Sequence, residues 1–277
     1  MAINGADFEY ITKIVRQQSA IVLEPGKEYL VESRIMPLVH QEGLGSLEEL
    51  VKKMRAGQTH ALQEKVVEAM TTNETSFFRD LHPFELLKTR IFPDLIEARS
   101  TTREINIWCG ASSSGQEPYS MLMMMRENFP QLATWKVNFM ASDISNNMLD
   151  RCRSGIYSQL EINRGLPATL LVKYFQRIGM EWQIKEELRK SVQFKIVNLC
   201  EDWPFMPTMD LIMMRNVLIY FDVETKKAIL GKIRKNLKAD GHLFLGAAET
   251  TFNLDDAFQR LNFKQSGCYG LRQELKE

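Results

Sequence analysis

A loop of small residues between Trp108 and Met121, "WCGASSSGQEPYSM", could hold a ligand at the end of a strand. It follows the β-rich run "EINIWC" and precedes a helical pattern, which is where open parallel sheets bind nucleotides. A dinucleotide pyrophosphate favours G-x-G-x-x-G, because glycines let the backbone approach the phosphates at the helix N-terminus. Here only Gly110 and Gly115 are present, separated by "ASSS", and the acid Glu117 opens the helix. The loop therefore argues against a diphosphate.

Two acids, Glu117 and Asp143, could select the ligand. A carboxylate at Glu117 suits a ligand with a positive group, such as the sulfonium or ammonium of S-adenosylmethionine. Asp143 ends the second strand pattern, "WKVNFMASD", where an acid can accept both ribose hydroxyls of a nucleoside. Each acid has a structural alternative, since Glu117 could complement the helix dipole and Asp143 could cap the helix "ISNNMLD". Together they favour a nucleoside ligand but do not indicate a reaction.

Composition excludes several classes of protein. Lys and Arg total 35, as do Asp and Glu, so the formal net charge of zero argues against general nucleic-acid or membrane-surface binding. The apolar run "MLMMM" stops at Arg126, which is too short to span a bilayer. The four histidines are scattered, and the four cysteines lie far apart with no CxxC spacing. This pattern predicts free thiols in a reducing cytoplasm and no metal site.

Helical periodicity dominates the first part of the chain. "FEYITKIV", "EYLVESRIMPLV" and "ALQEKVVEAM" carry apolar residues at intervals of three and four, and Ser46 is a candidate N-cap for "LEELVKKM". Residues 1–75 show no strand signal, so we predict a separate helical domain there.

Strand and helix patterns alternate after Arg99. The strand patterns are "EINIWC", "WKVNFMASD", "MDLIMMRN", "GHLFLGA" and "CYGLRQE", with helical patterns such as "EPYSMLMMMREN" and "VETKKAILGKIRKNL" between them. This alternation predicts a mainly parallel sheet with helices on both faces.

The segment "MEWQIKEELRKSVQFKIV" breaks that alternation. Met180, Trp182 and Ile184 form one alternating apolar set, and Val192, Phe194 and Ile196 form another. The pattern predicts an inserted hairpin with one apolar face. Residues 151–197 hold nine basic and four acidic side chains, which indicates either a solvated polar face or a landing site for an acidic protein surface.

Five motifs occur in order along the chain: "NETSFFRD" (73–80), "WCGASSSGQEPYS", "ASDIS", "RSGIY" (153–157) and "RNVLIYFD" (215–222). Together they resemble the CheR-type chemotaxis receptor methyltransferases, and the likeness runs from the first helix to the last strand. The resemblance implies an α/β fold: a Rossmann-like S-adenosylmethionine methyltransferase domain at 76–277, with a small antiparallel β subdomain inserted at about 151–197. An all-α N-terminal domain at 1–75 precedes it.

The resemblance also implies an activity, a cofactor and a set of site residues. The family transfers a methyl group from S-adenosylmethionine to glutamate side chains of bacterial chemoreceptors in chemotaxis adaptation, leaving S-adenosylhomocysteine, without a metal. Arg79 and Tyr220 match the residues placed beside the transferring methyl. The matching cofactor positions are Asn73, Thr75, Arg79, Glu117, Asp143, Asn198, Leu199, Arg215 and Asn216.

Several of these positions also have structural explanations. Asn73 and Thr75 could cap helices, Arg215 could form a surface ion pair worth little, and Tyr220 could pack within "IYF". The implied partner is the cytoplasmic methylation region of chemoreceptors, with its acidic helices. The protein would then be cytoplasmic and recruited to membrane-bound receptors, with neither membrane insertion nor nucleic-acid binding. The cofactor motifs leave open an acceptor from another signalling pathway and a non-catalytic ligand-sensing module.

The chain departs from the family pattern at three places. Gln116 stands where many relatives have a second acid, so Glu117 is the sole carboxylate there. The second helix, "GKEYLVESRIMPLVHQEG", mixes charges where relatives are often basic. The hairpin segment "YFQRIGMEWQIKEEL" is short, where some relatives have a longer glycine-containing loop that grips a peptide tether at the receptor C-terminus. We therefore predict no tight binding of a receptor C-terminal pentapeptide.

Overall fold

Four helices form the N-terminal part of the chain, as the sequence predicts. They are α1 (Gly5–Ser19), α2 (Glu28–Gln41), α3 (Leu47–Arg55) and α4 (His60–Met70). Ser46 caps α3 by accepting a hydrogen bond from the backbone N–H of Glu49, which confirms the predicted N-cap. The apolar positions at helical spacing are buried and form the core of this unit, among them Ile11, Val15, Val31, Ile35, Leu50 and Val66.

A seven-stranded sheet, flanked in sequence by helices, forms most of the remaining chain. In spatial order the strands are β6, β2, β1, β7, β8, β10 and β9. Their ranges are β1 (Glu104–Gly110), β2 (Lys136–Asp143), β6 (Gln193–Ile196), β7 (Met209–Met214), β8 (Leu237–Leu245), β9 (Phe258–Arg260) and β10 (Cys268–Leu271). The first five pair in parallel, and β10 runs antiparallel to both β8 and β9. The predicted mainly parallel sheet is confirmed.

Strand order fixes where a ligand can bind. From β1 the chain builds outward through β2 to β6, and then returns to the other side of β1 with β7 and β8. The order therefore reverses beside β1, and a crevice opens at the carboxyl ends of strands at such a point. The loop after Gly110 begins there.

Helices precede the sheet and connect its strands. Before β1 come α5 (His82–Leu86), a π-helical turn (Leu87–Ile91) and α6 (Phe92–Ala98). Between later elements, α7 (Gln116–Asn128) lies between β1 and β2, α8 (Asn146–Ser154) follows β2, and α12 (Val223–Asn236) lies between β7 and β8. In α7, the methionines of "MLMMM" are all buried, because this flexible side chain fills irregular gaps in a core. No helix among the described residues has the length and apolarity to cross a bilayer.

A second, three-stranded antiparallel sheet is inserted after α8. It contains β3 (Ile156–Tyr157), β4 (Phe175–Ile178) and β5 (Glu181–Ile184), with β5 in the middle. The short helices α9 (Gln159–Asn163) and α10 (Ala168–Tyr174) lie between β3 and β4 in the chain, and α11 (Glu186–Arg189) follows β5. The predicted small antiparallel subdomain is confirmed.

One predicted strand pairing is wrong. The apolar set Val192, Phe194 and Ile196 does not pair with the set around Trp182, because β6 lies in parallel beside β2, with Phe194 opposite Ala141. The true hairpin partner of β5 is β4. Alternating apolar residues suit a strand at the edge of either sheet, so periodicity alone could not identify the partner.

The computed structural model describes residues 3–57, 60–263 and 267–272, and it divides into two compact units. One contains the chain up to Thr72 together with Tyr220–Thr225, and the other contains Asn73–Ile219 and the chain from Lys226 onward.

Candidate active site

Asp143 joins the ends of the two central strands β1 and β2. Its Oδ2 accepts a hydrogen bond from the backbone N–H of Ser113 at 2.8 Å, and its Oδ1 accepts one from the N–H of Ser145 at 3.0 Å. Helix α8 is capped by Ser145, whose hydroxyl accepts from the N–H of Met148. The explanation of Asp143 as the N-cap is therefore wrong. The carboxylate instead ties the loop after β1 to the end of β2.

Buried side chains of the "RSGIY" motif and of α8 donate hydrogen bonds to the loop after β1. The hydroxyl of Tyr157 donates to the carbonyl of Ser114 at 2.7 Å, and the thiol of Cys152 donates to the carbonyl of Ser113 at 3.1 Å. A Cβ on Gly115, whose φ is +92°, would lie 2.9 Å from Sγ of Cys152. Burial raises the pKa of Cys152 to about 12, so its thiol stays protonated and donates at neutral pH. Shape and hydrogen bonding both restrict this part of the loop.

The buried Arg215 side chain is the centre of a charge cluster. Its Nη1 lies 2.6 Å from Oε2 of Glu117, and its Nη2 lies 2.8 Å from Oδ2 of Asp80 and donates to the carbonyl of Arg79 at 3.1 Å. The Arg215 side chain is only 1% exposed, so the surface-ion-pair explanation is wrong. Its Nε is buried and has no hydrogen-bond partner among the described residues. An orphaned buried donor is the kind of group that a bound ligand satisfies.

The first motif, residues 73–80, is an irregular segment ending in a turn, and it contacts the ligand loop and helix α7. The carbonyl of Asn73 accepts from the hydroxyl of Ser113 at 2.8 Å, and the N–H of Phe78 donates to the hydroxyl of Ser120 at 2.9 Å. In this fully described stretch no helix begins before α5, so Asn73 and Thr75 do not cap helices. Both are half-buried, as is Arg79.

The guanidinium of Arg79 donates to the carbonyl of Glu74 at 3.0 Å. This bond folds the side chain back onto its own motif. Arg215 thus contacts both residues: it donates to the backbone carbonyl of Arg79 and to the carboxylate of Asp80.

Unusual backbone conformations concentrate in these motifs. Five residues other than glycine have positive φ there: Phe78, Asp80, Ala111, Ser113 and Asn216. Each such conformation costs on the order of 1–3 kcal/mol and persists where surrounding structure enforces it, commonly at ligand sites. The strain is independent of the sequence resemblance and indicates the same loops.

The segment predicted at the adenine end lies next to Asp143. Ile196 is opposite Asp143 in the sheet, and the N–H of Val197 donates to the Asp143 carbonyl at 3.1 Å. Asn198 follows, and its Oδ1 accepts from the N–H of Cys200 at 3.1 Å. Leu199 is buried.

Lys232 restrains this segment from α12. Its Nζ donates to the carbonyls of Leu199 at 2.6 Å and Glu201 at 2.7 Å, and it lies 5.0 Å from the ring centroid of Trp203. Burial lowers the pKa of the Lys232 ammonium. The lysine therefore fixes the path of the chain just after Asn198.

Two residues remain: Glu249, which contacts the predicted site residue Asn216, and Tyr220, which is itself a predicted one. Glu249, which was not predicted from the sequence, accepts the backbone N–H groups of Asn216, Val217 and Leu218 at 2.7–2.8 Å. The only sequence signal was an acid in the loop after a strand. Tyr220 groups with the helical unit, where its carbonyl accepts from the N–H of Val22 at 3.1 Å.

The cluster supplies carboxylates, a guanidinium, amides and backbone donors. Across the described ranges, no group of three or more His, Cys, Asp or Glu side chains is placed to hold a metal ion. Chemically, this set of groups fits a nucleoside that carries both an amino-acid carboxylate and a positive charge, because carboxylates accept hydrogen bonds and an unpartnered guanidinium N–H donates one.

Comparison with known proteins gives a consistent result. The family model "CheR methyltransferase, all-alpha domain" matches residues 6–71, and "CheR methyltransferase, SAM binding domain" matches residues 73–266. The chain is 43% identical over 264 residues to the chemotaxis protein methyltransferase 1 of Pseudomonas aeruginosa, covering 94% of this chain and 95% of the relative. It is 40% identical to the chemotaxis protein methyltransferase Cher2 of Pseudomonas putida, with the same coverage. A Vibrio parahaemolyticus chemotaxis protein methyltransferase is 38% identical, covering 98% of this chain and 99% of the relative.

Proposed function

This chain belongs to the CheR methyltransferase family, and from that premise we propose that it methylates glutamate side chains of chemoreceptors, using S-adenosylmethionine. Dependence on S-adenosylmethionine follows from the family's SAM-binding domain. The observation that carries the proposal for this particular site is the buried Arg215 guanidinium, held between Glu117 and Asp80, with its Nε left for a ligand.

Each part of the cofactor has proposed contacts. Asp143 would accept the ribose hydroxyls, and Asn198 and Leu199 would flank the adenine. The methionyl end would be held by the remaining proposed residues: Asn73, Thr75, Arg79, Glu117, Arg215 and Asn216. The tie between Asp143 and Ser113 supports this division, because it fixes the carboxylate at the crevice beside β1.

The acceptor glutamate needs little chemical activation. A free glutamate has a pKa near 4.3, so it is ionised at neutral pH and needs no general base. When bound, the cofactor supplies an electrophilic methyl group on a sulfonium. The protein's task is alignment, which is worth roughly 7–11 kcal/mol, together with exclusion of water from a reaction in which opposite charges disappear.

Arg79 and Tyr220 are the residues proposed to lie beside the transferring methyl. A guanidinium fork can orient the acceptor carboxylate bidentately, although a tight grip would weaken the nucleophile, so Arg79 could equally serve the cofactor. Its half-buried position and single bond to the Glu74 carbonyl support a side chain that can be recruited by either ligand. S-adenosylhomocysteine affinity and turnover of Arg79→Ala separate the two roles. If neither changes, Arg79 does not belong to the site.

The proposed partner is the acidic methylation region of cytoplasmic receptor domains, to which the protein would be recruited in the cytoplasm. Part of the basic surplus in residues 151–197 is neutralised by acids outside that segment, since Arg153, Arg164 and Lys173 pair with Asp150, Glu74 and Glu127. Arg151 and Lys190 pair with acids inside it, Glu161 and Glu186. The exposed bases Arg177, Lys185 and Lys195 support a smaller landing surface.

We also propose that methylation does not need a receptor C-terminal pentapeptide. The β4–β5 hairpin closes through Gly179 and Met180 alone, because Ile178 already pairs with Glu181. This tight turn supports the absence of a longer gripping loop. A tight, saturable titration with the pentapeptide would contradict the proposal.

The direct experiment incubates the protein with labelled S-adenosylmethionine and a panel of receptor signalling domains from the same cell. We expect base-labile methyl esters on receptor glutamates. Ester formation on a protein of another pathway, with none on receptors, would show that the methyl acceptor is not a chemoreceptor. Cofactor binding without transfer to any protein would favour a ligand-sensing module.

A further inference from the structure

The carboxylate of Glu249 is enclosed by backbone N–H groups in the loop after β8. Its Oε2 accepts from Asn216 at 2.8 Å and from Gly246 at 2.6 Å. Its Oε1 accepts from Val217 at 2.8 Å, from Leu218 at 2.7 Å and from Ile219 at a longer 3.4 Å. The residue is 8% exposed. Five backbone donors offset the desolvation of this buried carboxylate.

The contact holds the turn that follows β7. Arg215 and Asn216 come directly after that strand, and Asn216 has a φ of +59°, in the left-handed region that asparagine tolerates better than most residues other than glycine. Gly246 packs closely against the same turn. A Cβ on Gly246 would lie 2.7 Å from Nδ2 of Asn216 and 2.8 Å from Oε2 of Glu249. The hydrogen bond to Glu249 and the close approach of Gly246 therefore hold the Asn216 backbone in this conformation.

We propose that Glu249 is a positioning residue for cofactor binding, acting through the backbone of Asn216 and its neighbour Arg215. By binding the N–H groups after Arg215, it fixes the point from which the guanidinium reaches Glu117 and Asp80. The inference rests on the proposed function, because Arg215 and Asn216 hold the cofactor only in that account.

The neutral amide is the most informative replacement. In Glu249→Gln one carboxylate oxygen becomes an NH₂ group, which would face two backbone N–H donors and repel them. We expect S-adenosylhomocysteine affinity to fall at least about tenfold, since hydrogen bonds to a buried charge are lost and their donors stay buried. Turnover at saturating S-adenosylmethionine should fall as well, because the turn also orients Arg215.

Asp255→Asn provides the matched control. Asp255 is also a largely buried acid after β8, with its side chain 11% exposed, and it accepts the backbone N–H of Ala257 at 3.0 Å. Because its bonds lie within its own loop and to Arg234, this variant should bind S-adenosylhomocysteine as the unaltered protein does. Near-ultraviolet circular dichroism confirms folding at the assay temperature. If Glu249→Gln does not fold, Glu249→Asp, which keeps the charge on a shorter side chain, replaces it with a smaller expected loss.

Chemical rescue distinguishes positioning from general loosening. In Glu249→Ala, added formate should bind the vacated backbone N–H groups and restore S-adenosylhomocysteine affinity, whereas chloride at equal ionic strength should not. Unchanged affinity and turnover in folded Glu249→Gln would overturn the proposal, and so would weakened binding in Glu249→Ala that formate does not restore. If the unaltered protein itself fails to bind S-adenosylhomocysteine, the proposed function has failed instead.

Discussion

Oε2 of Glu117 and Nη1 of Arg215 lie 2.6 Å apart, although 98 residues separate them in the chain. The acid opens the helix after β1, and the base follows β7. Their contact therefore spans the point where strand order reverses, which is the position expected for the ligand of an open parallel sheet.

Removing Arg215 should lower the stability of the folded protein. Arg215→Ala leaves Glu117, 13% exposed at its side chain, without its cation. We expect the free energy of unfolding in urea to fall by about 3 kcal/mol, because breaking one side of a buried pair leaves an uncompensated charge. Arg90→Ala is the control, since its ion pair with Asp94 is exposed and should contribute less than about 1 kcal/mol. If both variants lose the same free energy of unfolding, the Arg215 ion pairs contribute no more to stability than an exposed pair does.

Asp143 should contribute to cofactor affinity, whereas an exposed aspartate should not. In Asp143→Ala the tie to Ser113 is lost together with the proposed ribose acceptor. S-adenosylhomocysteine affinity measured by calorimetry should drop about tenfold to a hundredfold, as expected for hydrogen bonds to a charged group. Asp150→Ala, whose side chain is 72% exposed, should bind normally. A normal dissociation constant for Asp143→Ala would exclude the ribose role.

Two glycines should respond to the same substitution in opposite ways. Gly115→Ala places a methyl group at φ +92° against Cys152, so it should destabilise the fold by at least about 1–2 kcal/mol and weaken cofactor binding. Gly231→Ala lies inside α12 with open space around it and should stabilise by about 0.5–1 kcal/mol. Chemical denaturation measures both. A stabilised Gly115→Ala would mean that the ligand loop is not conformationally restricted.

Much of the fold could be predicted because periodicity reports burial. The strands β1, β2, β7 and β8 and the helices α1–α4 follow directly from apolar spacing. The partner of β6 could not be predicted in this way, since an edge strand alternates identically whichever sheet it joins.

The site was less accessible to sequence reasoning. Acids at strand ends indicated Glu117 and Asp143, but whether each binds a ligand or serves the backbone depends on contacts between distant segments. For Arg215 the sequence left a surface ion pair open beside cofactor binding, and only the fold reveals that its side chain is 1% exposed. Glu249 binds main-chain groups about thirty residues away, and backbone N–H groups leave no trace in side-chain patterns.

The stability of the small subdomain should depend on pH through Glu161. Burial favours its neutral form, but the backbone N–H and hydroxyl of Ser158 and the guanidinium of Arg151 outweigh burial and lower the pKa of Glu161. A lowered folded-state pKa gives stability that is present above the unfolded value of about 4.3 and lost as pH falls through the folded value. Glu161→Gln should therefore lower Tm at pH 7, with the difference from the unaltered protein shrinking below pH 4.3. A difference that grows on acidification would contradict this assignment.

Calorimetry on the purified protein tests the central claim most directly: that carboxylates at the rim of the sheet select an adenosyl sulfonium donor over a diphosphate. Titration with S-adenosylhomocysteine should give saturable heat from one class of site, abolished by prior addition of S-adenosylmethionine, while NADH should give none. Saturable heat with NADH, and none with S-adenosylhomocysteine or S-adenosylmethionine, would contradict the account.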